Sequence, residues 1–384
     1  MKLCTITGSR AEFFLLKNLI TKINNEKKLK NNLLVTGSHN SALFGNTIKD
    51  IKQSNIKIKA IVNLKIKNDR PIDISKYISE GIKKFSYHFN SIKPDLVIIL
   101  GDRYEIYTAA IAAYILKIPI AHIYGGETTQ GVIDEGIRHS ITKLSHIHFV
   151  STNRYLKRVK QLGENPKMIF NVGSLGIEAL KKNKALNKKT LEKKLGIKFR
   201  KKNLLITFHP ETIHDEKTNL KNLKIFLDSL KGLKDTSLIF TAPGADTYYK
   251  FIFKQLKNFT KKNTQAYFFK SLGHEKYFSI CKNVDLMIGN SSSGIIEMPT
   301  LNKWTINLGN RQTGRVKAKS VIDIKFKKIQ IKKILNKLLF QKNNSFLKKI
   351  RNPYDNGNSS DKIINIIKKV NLSRICYKKF YDYN

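Results

Sequence analysis

The sequence predicts an α/β protein made of two similar halves, each a parallel sheet flanked by helices. Three observations predict it. Short β-rich runs alternate with helical stretches, the alternation restarts after a charged, apolar-poor bridge at Lys181–Lys202, and runs such as LVIIL (96–100) are apolar throughout. Strands separated by helices imply βαβ units, and a strand buried on both faces of a parallel sheet reads as a continuous apolar run. A length of 384 residues suits two domains.

The first half offers strands at Leu3–Thr7, Leu33–Thr36, Ile58–Val62, Leu96–Leu100, Ile118–His122, Ile147–Val150 and Met168–Val172, with helical stretches at Phe13–Ile23, Ile74–Asn90 and Glu105–Leu116. The second offers strands at Leu204–Phe208, Ser237–Thr241, Gln265–Phe269, Asp285–Ile288 and Trp304–Asn307, with helices at Lys217–Leu230, Asp246–Phe259 and Glu275–Cys281. The halves join near residues 173–185, and Ile329–Phe340 and Asp361–Val370 read as C-terminal helices. The expected domains are 1–178, 179–355 and a returning C-terminal helix in 356–384. No short-period repeat is visible.

Composition narrows the function. An apolar fraction of 41% supports packed cores. No apolar run is long enough for a transmembrane helix, and MKLCTITGSR lacks the apolar core of a signal peptide. Cys4, Cys281 and Cys376 lie far apart with no CxxC, which argues against a disulfide scaffold or cysteine zinc site and suits a reducing cytoplasm. The net charge of +44 raises a polyanionic partner. However, only 11 of the 72 basic residues are arginine, and the lysines are dispersed among Asn and Ile, the pattern of solvated faces. No RRM, KH or helix-turn-helix signature accompanies them, so neither nucleic acid nor membrane is expected as partner.

Ligands of open parallel sheets bind beyond the carboxyl ends of the strands. The unusual residues fall there: GSRAE (8–12), GDRYE (101–105), GGE (125–127), HPET (209–212) and GNSSSG (289–294). The serine turn leads toward a helix whose exposed N–H groups and hydroxyls suit a phosphate or diphosphate, with Ser291, Ser292 and Gly294 at the turn and Glu297 placed for ribose hydroxyls; a plain serine cap is the alternative. His209 follows a strand and can reach a phosphate oxygen. Arg10, Arg103, Arg138, Arg311 and Arg315 are five of the 11 arginines, retained where composition favours lysine, which points to use of the planar fork. Asp102, Glu105, Glu127, Asp134 and Glu135 crowd into 102–135 of a carboxylate-poor chain, a grouping able to separate an acid from a base; Asp134 and Arg138 are spaced to share a helix face. His139, His146 and His148 match no metal-ligand pattern, and GxSxG, GxGxxG and the P-loop are absent.

The run GDRYEIYTAAIAAYILKIPIAHIYGGETTQGVIDEGIRHSITKLSHIHFVST, with ITGSRAE, TFHPET, IGNSSSGIIE and NLGNRQTGR in the same order, resembles the UDP-N-acetylglucosamine 2-epimerase family, most of all its hydrolysing branch of sialic- and legionaminic-acid synthesis. The likeness covers roughly residues 2–320. It implies a glycosyltransferase-B-type fold of two Rossmann-like domains with the nucleotide sugar in the cleft between them. The implied reaction is anti-elimination of UDP to 2-acetamidoglucal, then addition of water at C1 and a proton at C2, which releases N-acetylmannosamine from UDP-GlcNAc. The same chemistry on a UDP-2,4-diacetamido-2,4,6-trideoxyhexose, and the non-hydrolysing epimerase, are the alternatives.

By motif, the resemblance implies that Asp102 and Asp134 are catalytic carboxylates, that His209, Ser291, Ser292, Glu297 and Arg311 bind UDP, and that Arg10, Arg103 and Arg138 line the site. No cofactor and no metal is implied, and relatives form dimers or tetramers, so a homo-oligomer is expected. Two positions depart from the pattern. Tyr124 stands where some members carry a catalytic glutamate, which leaves Glu127, the tyrosine or a different division of roles. Gly244 stands where many relatives show asparagine.

Overall fold

The computed structural model describes residues 1–40, 47–65, 68, 70–130, 132–244, 246–340 and 345–382. Gly131 of the long motif run and Ala245 of APGAD lie outside them. The chain divides into two compact units: Met1–Glu127, Asp134–Ala179 and Asn356–Asn384 form the first, and Thr128–Ile133 with Leu180–Asp355 the second.

The first unit holds a seven-stranded parallel sheet, β1 (Lys2–Thr7), β2 (Lys30–Val35), β3 (Ile58–Ile61), β4 (Leu96–Leu100), β5 (Ile120–Ile123), β6 (Ile147–Val150) and β7 (Ile169–Asn171), in the order β3-β2-β1-β4-β5-β6-β7. Both faces are buried, so successive residues of LVIIL serve opposite cores. Leu96, Ile98 and Leu100 pack with Phe13, Leu16 and Ile20 of helix Arg10–Asn24, whereas Val97 and Ile99 pack with Phe85 and Phe89 of helix Pro71–Ile92. Each such burial stabilises by about 1.5–3 kcal/mol.

The second unit repeats the topology with β8 (Lys202–Thr207), β9 (Thr236–Thr241), β10 (Ala266–Phe269), β11 (Leu286–Gly289), β12 (Trp304–Leu308) and β13 (Val321–Ile324), in the order β10-β9-β8-β11-β12-β13. Leu204 and Ile206 enter one core and Leu205 the other. Each unit is therefore a Rossmann-like α/β layer structure. In each, the strand order reverses beside the first strand, at β1/β4 and at β8/β11. Such a switch point leaves a crevice where ligands of open sheets bind.

Four local features differ from the sequence reading. The Lys181–Lys202 bridge is not featureless: helix Leu175–Lys182 runs into it, and helix Lys188–Leu195 starts at an Asn187 cap, ends at Gly196 (φ 63°) and buries Leu191. Strand β13 was not anticipated, because VIDI is short and carries Asp323, which faces out to Lys317 at the sheet edge. Pro119 delays the start of β5 to Ile120, since proline brings no N–H to a ladder. Finally, Thr128–Ile133 packs with the second unit, where the Gln130 N–H donates to the Thr313 carbonyl at 3.3 Å and the Ile133 N–H to Thr212 Oγ1 at 3.1 Å.

The C-terminal segment packs in the first unit. Helix Ser359–Lys369 buries Ile363, Ile364 and Ile367 in the core that contains helix Arg10–Asn24. Its first turn is anchored by Glu178, which accepts from the Ser360 N–H and hydroxyl, each at 2.8 Å.

Candidate functional site

At the first unit's switch point, β1 ends in Gly8-Ser9-Arg10 and β4 in Gly101-Asp102-Arg103. Ser9 caps helix Arg10–Asn24 by accepting from the Glu12 N–H, and Arg10 pairs with Asp50 at 2.9 Å. Burial lowers the Arg10 pKa, opposed by Asp50. Arg103 lies 3.0 Å from Glu105 Oε1.

Arg138 gathers the carboxylate cluster. It sits on helix Asp134–Leu144 and is 2% exposed. Its Nη2 donates to Asp102, and its Nη1 donates to the Glu127 carbonyl and to Glu135 Oε2, both at 3.0 Å. One guanidinium thus joins the loop after β4, the GGE turn after β5 and the start of its own helix. The planar fork reaches these acceptors from two separate nitrogens, whereas a lysine has only one. Asp134 opens that helix and is half-buried. Glu127 is buried and accepts from Ser151 Oγ at 2.9 Å.

Tyr124 takes a left-handed backbone (φ 72°), and its hydroxyl lies 3.1 Å from Ser174 Oγ and accepts from the Gly176 N–H at 3.3 Å. Beneath the cluster, His122 Nε2–H donates to the Gly101 carbonyl at 2.8 Å. Burial pulls its pKa down to about 3, so the ring is neutral near pH 7. His139, His146 and His148 have separate partners: Glu135, the Ile120 N–H and Glu164. Among the described residues no three His, Cys, Asp or Glu side chains are grouped to hold a metal ion.

At the second unit's switch point, His209 follows β8 and Asn290 follows β11. The Asn290 amide clamps the loops together: its Oδ1 accepts from the His209 N–H at 2.7 Å and its Nδ2 donates to the His209 carbonyl at 2.8 Å. The Gly244 N–H donates to His209 Nδ1 at 3.1 Å. That nitrogen is an acceptor, so in the neutral ring the proton sits on Nε2. A Cβ at Gly244 would meet only ordinary contacts, so the asparagine of relatives is sterically allowed there. Asp246 lies 3.7 Å from His209 Nδ1 and 3.5 Å from Arg311 Nη2. Arg311 Nη1 and Gln312 Nε2 both donate to the Asn290 carbonyl, at 3.3 and 2.9 Å. Buried Glu211 holds the arginine turn, accepting from the N–H groups of Asn310 (2.7 Å) and Arg311 (3.1 Å). Arg315 belongs to the same turn, where its N–H donates to the Gln312 carbonyl.

The serine turn differs from its reading. The α-helix after it spans only Ser293–Ile296 and passes into a 3-10 turn, Met298–Leu301, so no long helix dipole points at the turn. Ser291 and Ser292 are half-buried, and Ser293 accepts from the Tyr277 hydroxyl at 2.7 Å. Gly294 serves packing: a Cβ there would lie 2.6 Å from Thr305 Cγ2. Glu297 is buried at the junction of the two short helices. Gly289 (φ 144°) is obligatory, since a Cβ would come within 1.9 Å of the Thr207 carbonyl oxygen.

Asn290, Glu211, Ser151 and His122 were not among the sequence candidates, although all four stand inside quoted motifs. For Asn290 and Glu211 the available signal was a polar side chain just beyond a strand end, where backbone N–H and C=O groups need partners.

Residues 21–368 match the family described as UDP-N-acetylglucosamine 2-epimerase. The chain is 43% identical, over 99% of both chains, to the Campylobacter jejuni protein named GDP/UDP-N,N′-diacetylbacillosamine 2-epimerase (hydrolyzing). It is 39% identical to the Escherichia coli polysialic acid biosynthesis protein P7, over 99% of this chain and 97% of that one. Among solved structures, the S. aureus MnaA–UDP co-structure superposes with a TM-score of 0.79 over the whole of both chains at 19% identity, a likeness of fold.

Proposed function

The chain belongs to the UDP-N-acetylglucosamine 2-epimerase family, and we propose that it is a hydrolysing 2-epimerase of a nucleoside-diphosphate 2,4-diacetamido-2,4,6-trideoxyhexose. The observation that carries the sugar assignment is the 43% identity, over nearly the full length of both chains, to a protein named for that substrate. This identity supports the diacetylated sugar over UDP-GlcNAc, the first reading of the sequence.

The proposed reaction breaks the C2–H and C1–O bonds of the sugar, giving the glycal and the nucleoside diphosphate. Water then supplies a hydroxyl to C1 and a proton to C2, and the free manno-configured sugar leaves. Such chemistry needs a placed base, a placed acid and donors for the anionic diphosphate leaving group. In this reading Asp102, Asp134 and Glu127 carry the proton steps, and Arg138 fixes the first of them. Arg10 and Arg103 face the sugar nucleotide. His209 Nε2–H, Arg311, Ser291 and Ser292 hold the diphosphate, and Glu297 the ribose. Gly294 keeps the serine turn against β12. The engaged Tyr124 hydroxyl supports giving the missing family glutamate's role to Glu127.

A second reading, UDP-GlcNAc to N-acetylmannosamine and UDP, is supported by the 39% identity to a protein named for polysialic acid synthesis. The test is turnover of UDP-GlcNAc and of UDP- and GDP-linked diacetylbacillosamine, with nucleotide release and free sugar followed by NMR. The proposal expects kcat/KM at least tenfold higher for a diacetylated substrate. Equal or higher efficiency with UDP-GlcNAc overturns the sugar assignment.

A further inference from the structure

Behind the first unit's switch-point loops lies a buried acid pair that the proposed reaction does not use. Glu12, on helix Arg10–Asn24, and Glu105, on helix Tyr104–Ile115, are both buried. The Arg103 Nε lies 3.0 Å from Glu105 Oε1 and 3.7 Å from Glu12 Oε1. Glu12 Oε2 accepts from the Gly8 N–H at 2.7 Å. The backbone closes directly on the pair: a Cβ at Gly8 would sit 2.2 Å from Glu105 Cγ, and one at Gly37 2.7 Å from Glu105 Oε1. The buried Tyr77 hydroxyl, from helix Pro71–Ile92, feels both carboxylates and Arg103. His39, stacked edge-on to Phe13, is held neutral by burial, its pKa pulled down to about 4.

Two carboxylates and one cation in a low-dielectric pocket cannot all be charged cheaply. The second negative charge would lack a counter-ion, which favours the neutral acid at one of the two buried carboxyls. We propose that Glu12 is held as the neutral acid beside the Arg103–Glu105 ion pair, and that these two acids are the positioning device that fixes Arg103 and the Gly8–Arg10 loop. Burial first, and then the Glu105 charge, push the Glu12 carboxyl up to about 8, against the pull of Arg103 and the Gly8 N–H. The placing of Arg103 against a substrate rests on the proposed function, whereas the proton count does not.

Two measurements test it. The first is Tm against pH, from 5 to 9, for the wild type and Glu12→Gln. A carboxyl raised in the folded state binds more protons there than in the unfolded chain, so wild-type stability falls as pH rises from about 4.3 toward 8. The amide, which mimics the neutral acid, lacks that slope. The Tm difference, variant minus wild type, is expected to grow by several degrees between pH 5 and 8 and then level. A constant difference, or a Glu12→Gln chain that does not fold, overturns the proposal. The second is kcat/KM against pH. Glu12→Gln is expected to keep at least a third of wild-type efficiency at pH 7 and to lose the alkaline decline near pH 8, while Glu12→Ala falls at least tenfold. Equal losses in both variants overturn the positioning role. If the wild type turns over none of the sugar nucleotides while the Tm difference still grows, the functional reading falls and the neutral Glu12 stands.

Discussion

Arg138 binds three acceptors from three segments while almost fully buried, so its loss strands charge as well as contacts. Arg138→Ala is expected to destabilise the protein by about 2–3 kcal/mol, less than a fully buried pair because Asp102 is partly exposed. Denaturant titration at constant m checks this. Asp102→Asn and Asp134→Asn keep shape and remove charge. Each is expected to lower nucleotide release 10²–10⁴-fold while UDP affinity by calorimetry stays within threefold. Near-normal turnover in either would remove that carboxylate from the proton steps. At this scale the sequence was informative where composition made a residue rare. Arginines and carboxylates stood out of a lysine-rich chain, and Asp102, Glu127 and Arg138 do meet. Residues that serve the backbone were not legible. Asn290 and Glu211 are ordinary polar letters until the carbonyls and N–H groups they satisfy are seen.

The strand ends organise the next scale. Glycine, proline and polar clusters after apolar runs marked where strands stop, which is why the strand-end motifs could be placed from sequence. The switch points could not be read, because strand order depends on which strands pair across long separations. Nor could the length of the helix after the serine turn, which is set by Pro299 and the packing of Gly294 on Thr305. With no long dipole there, the turn's geometry rests on side-chain clamps. Asn290→Ala removes two hydrogen bonds across β8/β11 and is expected to weaken UDP binding at least tenfold by calorimetry, with a smaller loss of Tm than that of Gly289→Ala. The returning C-terminal helix gives a separate test. Glu178→Ala leaves the Ser360 N–H and hydroxyl and Asn18 Nδ2 without their carboxylate, and a loss of about 2–3 kcal/mol is expected. The tail beyond the helix adds an acid-sensitive lock. Burial opposes ionisation of Glu164, yet His148, Lys378 and Lys143 outweigh it and hold the carboxyl at about 2. A depressed carboxyl contributes stability above its unfolded pKa and loses it as pH falls. The Tm advantage of wild type over Glu164→Gln is therefore expected to shrink between pH 5 and 2.

Across the molecule, the same six-strand order appears in both units, with a seventh strand added to the first. The alternation of strands and helices marks the two similar halves in the sequence, because buried parallel strands need continuous apolar runs and the chain carries two series of them, but it gives neither β13 nor the strand order. The charge of +44 did not predict the site. Lysines dispersed over the chain carry most of it, whereas the candidate sites depend on a few arginines, His209 and scarce acids. A chain that binds the nucleoside diphosphate in its folded state alone gains stability by linkage, about 2.7 kcal/mol at a hundredfold excess over Kd. The central claim is hydrolytic 2-epimerisation, and its most direct test is to incubate the enzyme with UDP-N,N′-diacetylbacillosamine in D2O and follow the products by NMR. Hydrolytic 2-epimerisation gives free nucleoside diphosphate and a free manno-configured sugar with one deuterium at C2. A sugar that stays attached to UDP, or a released gluco-configured sugar without deuterium, would contradict it.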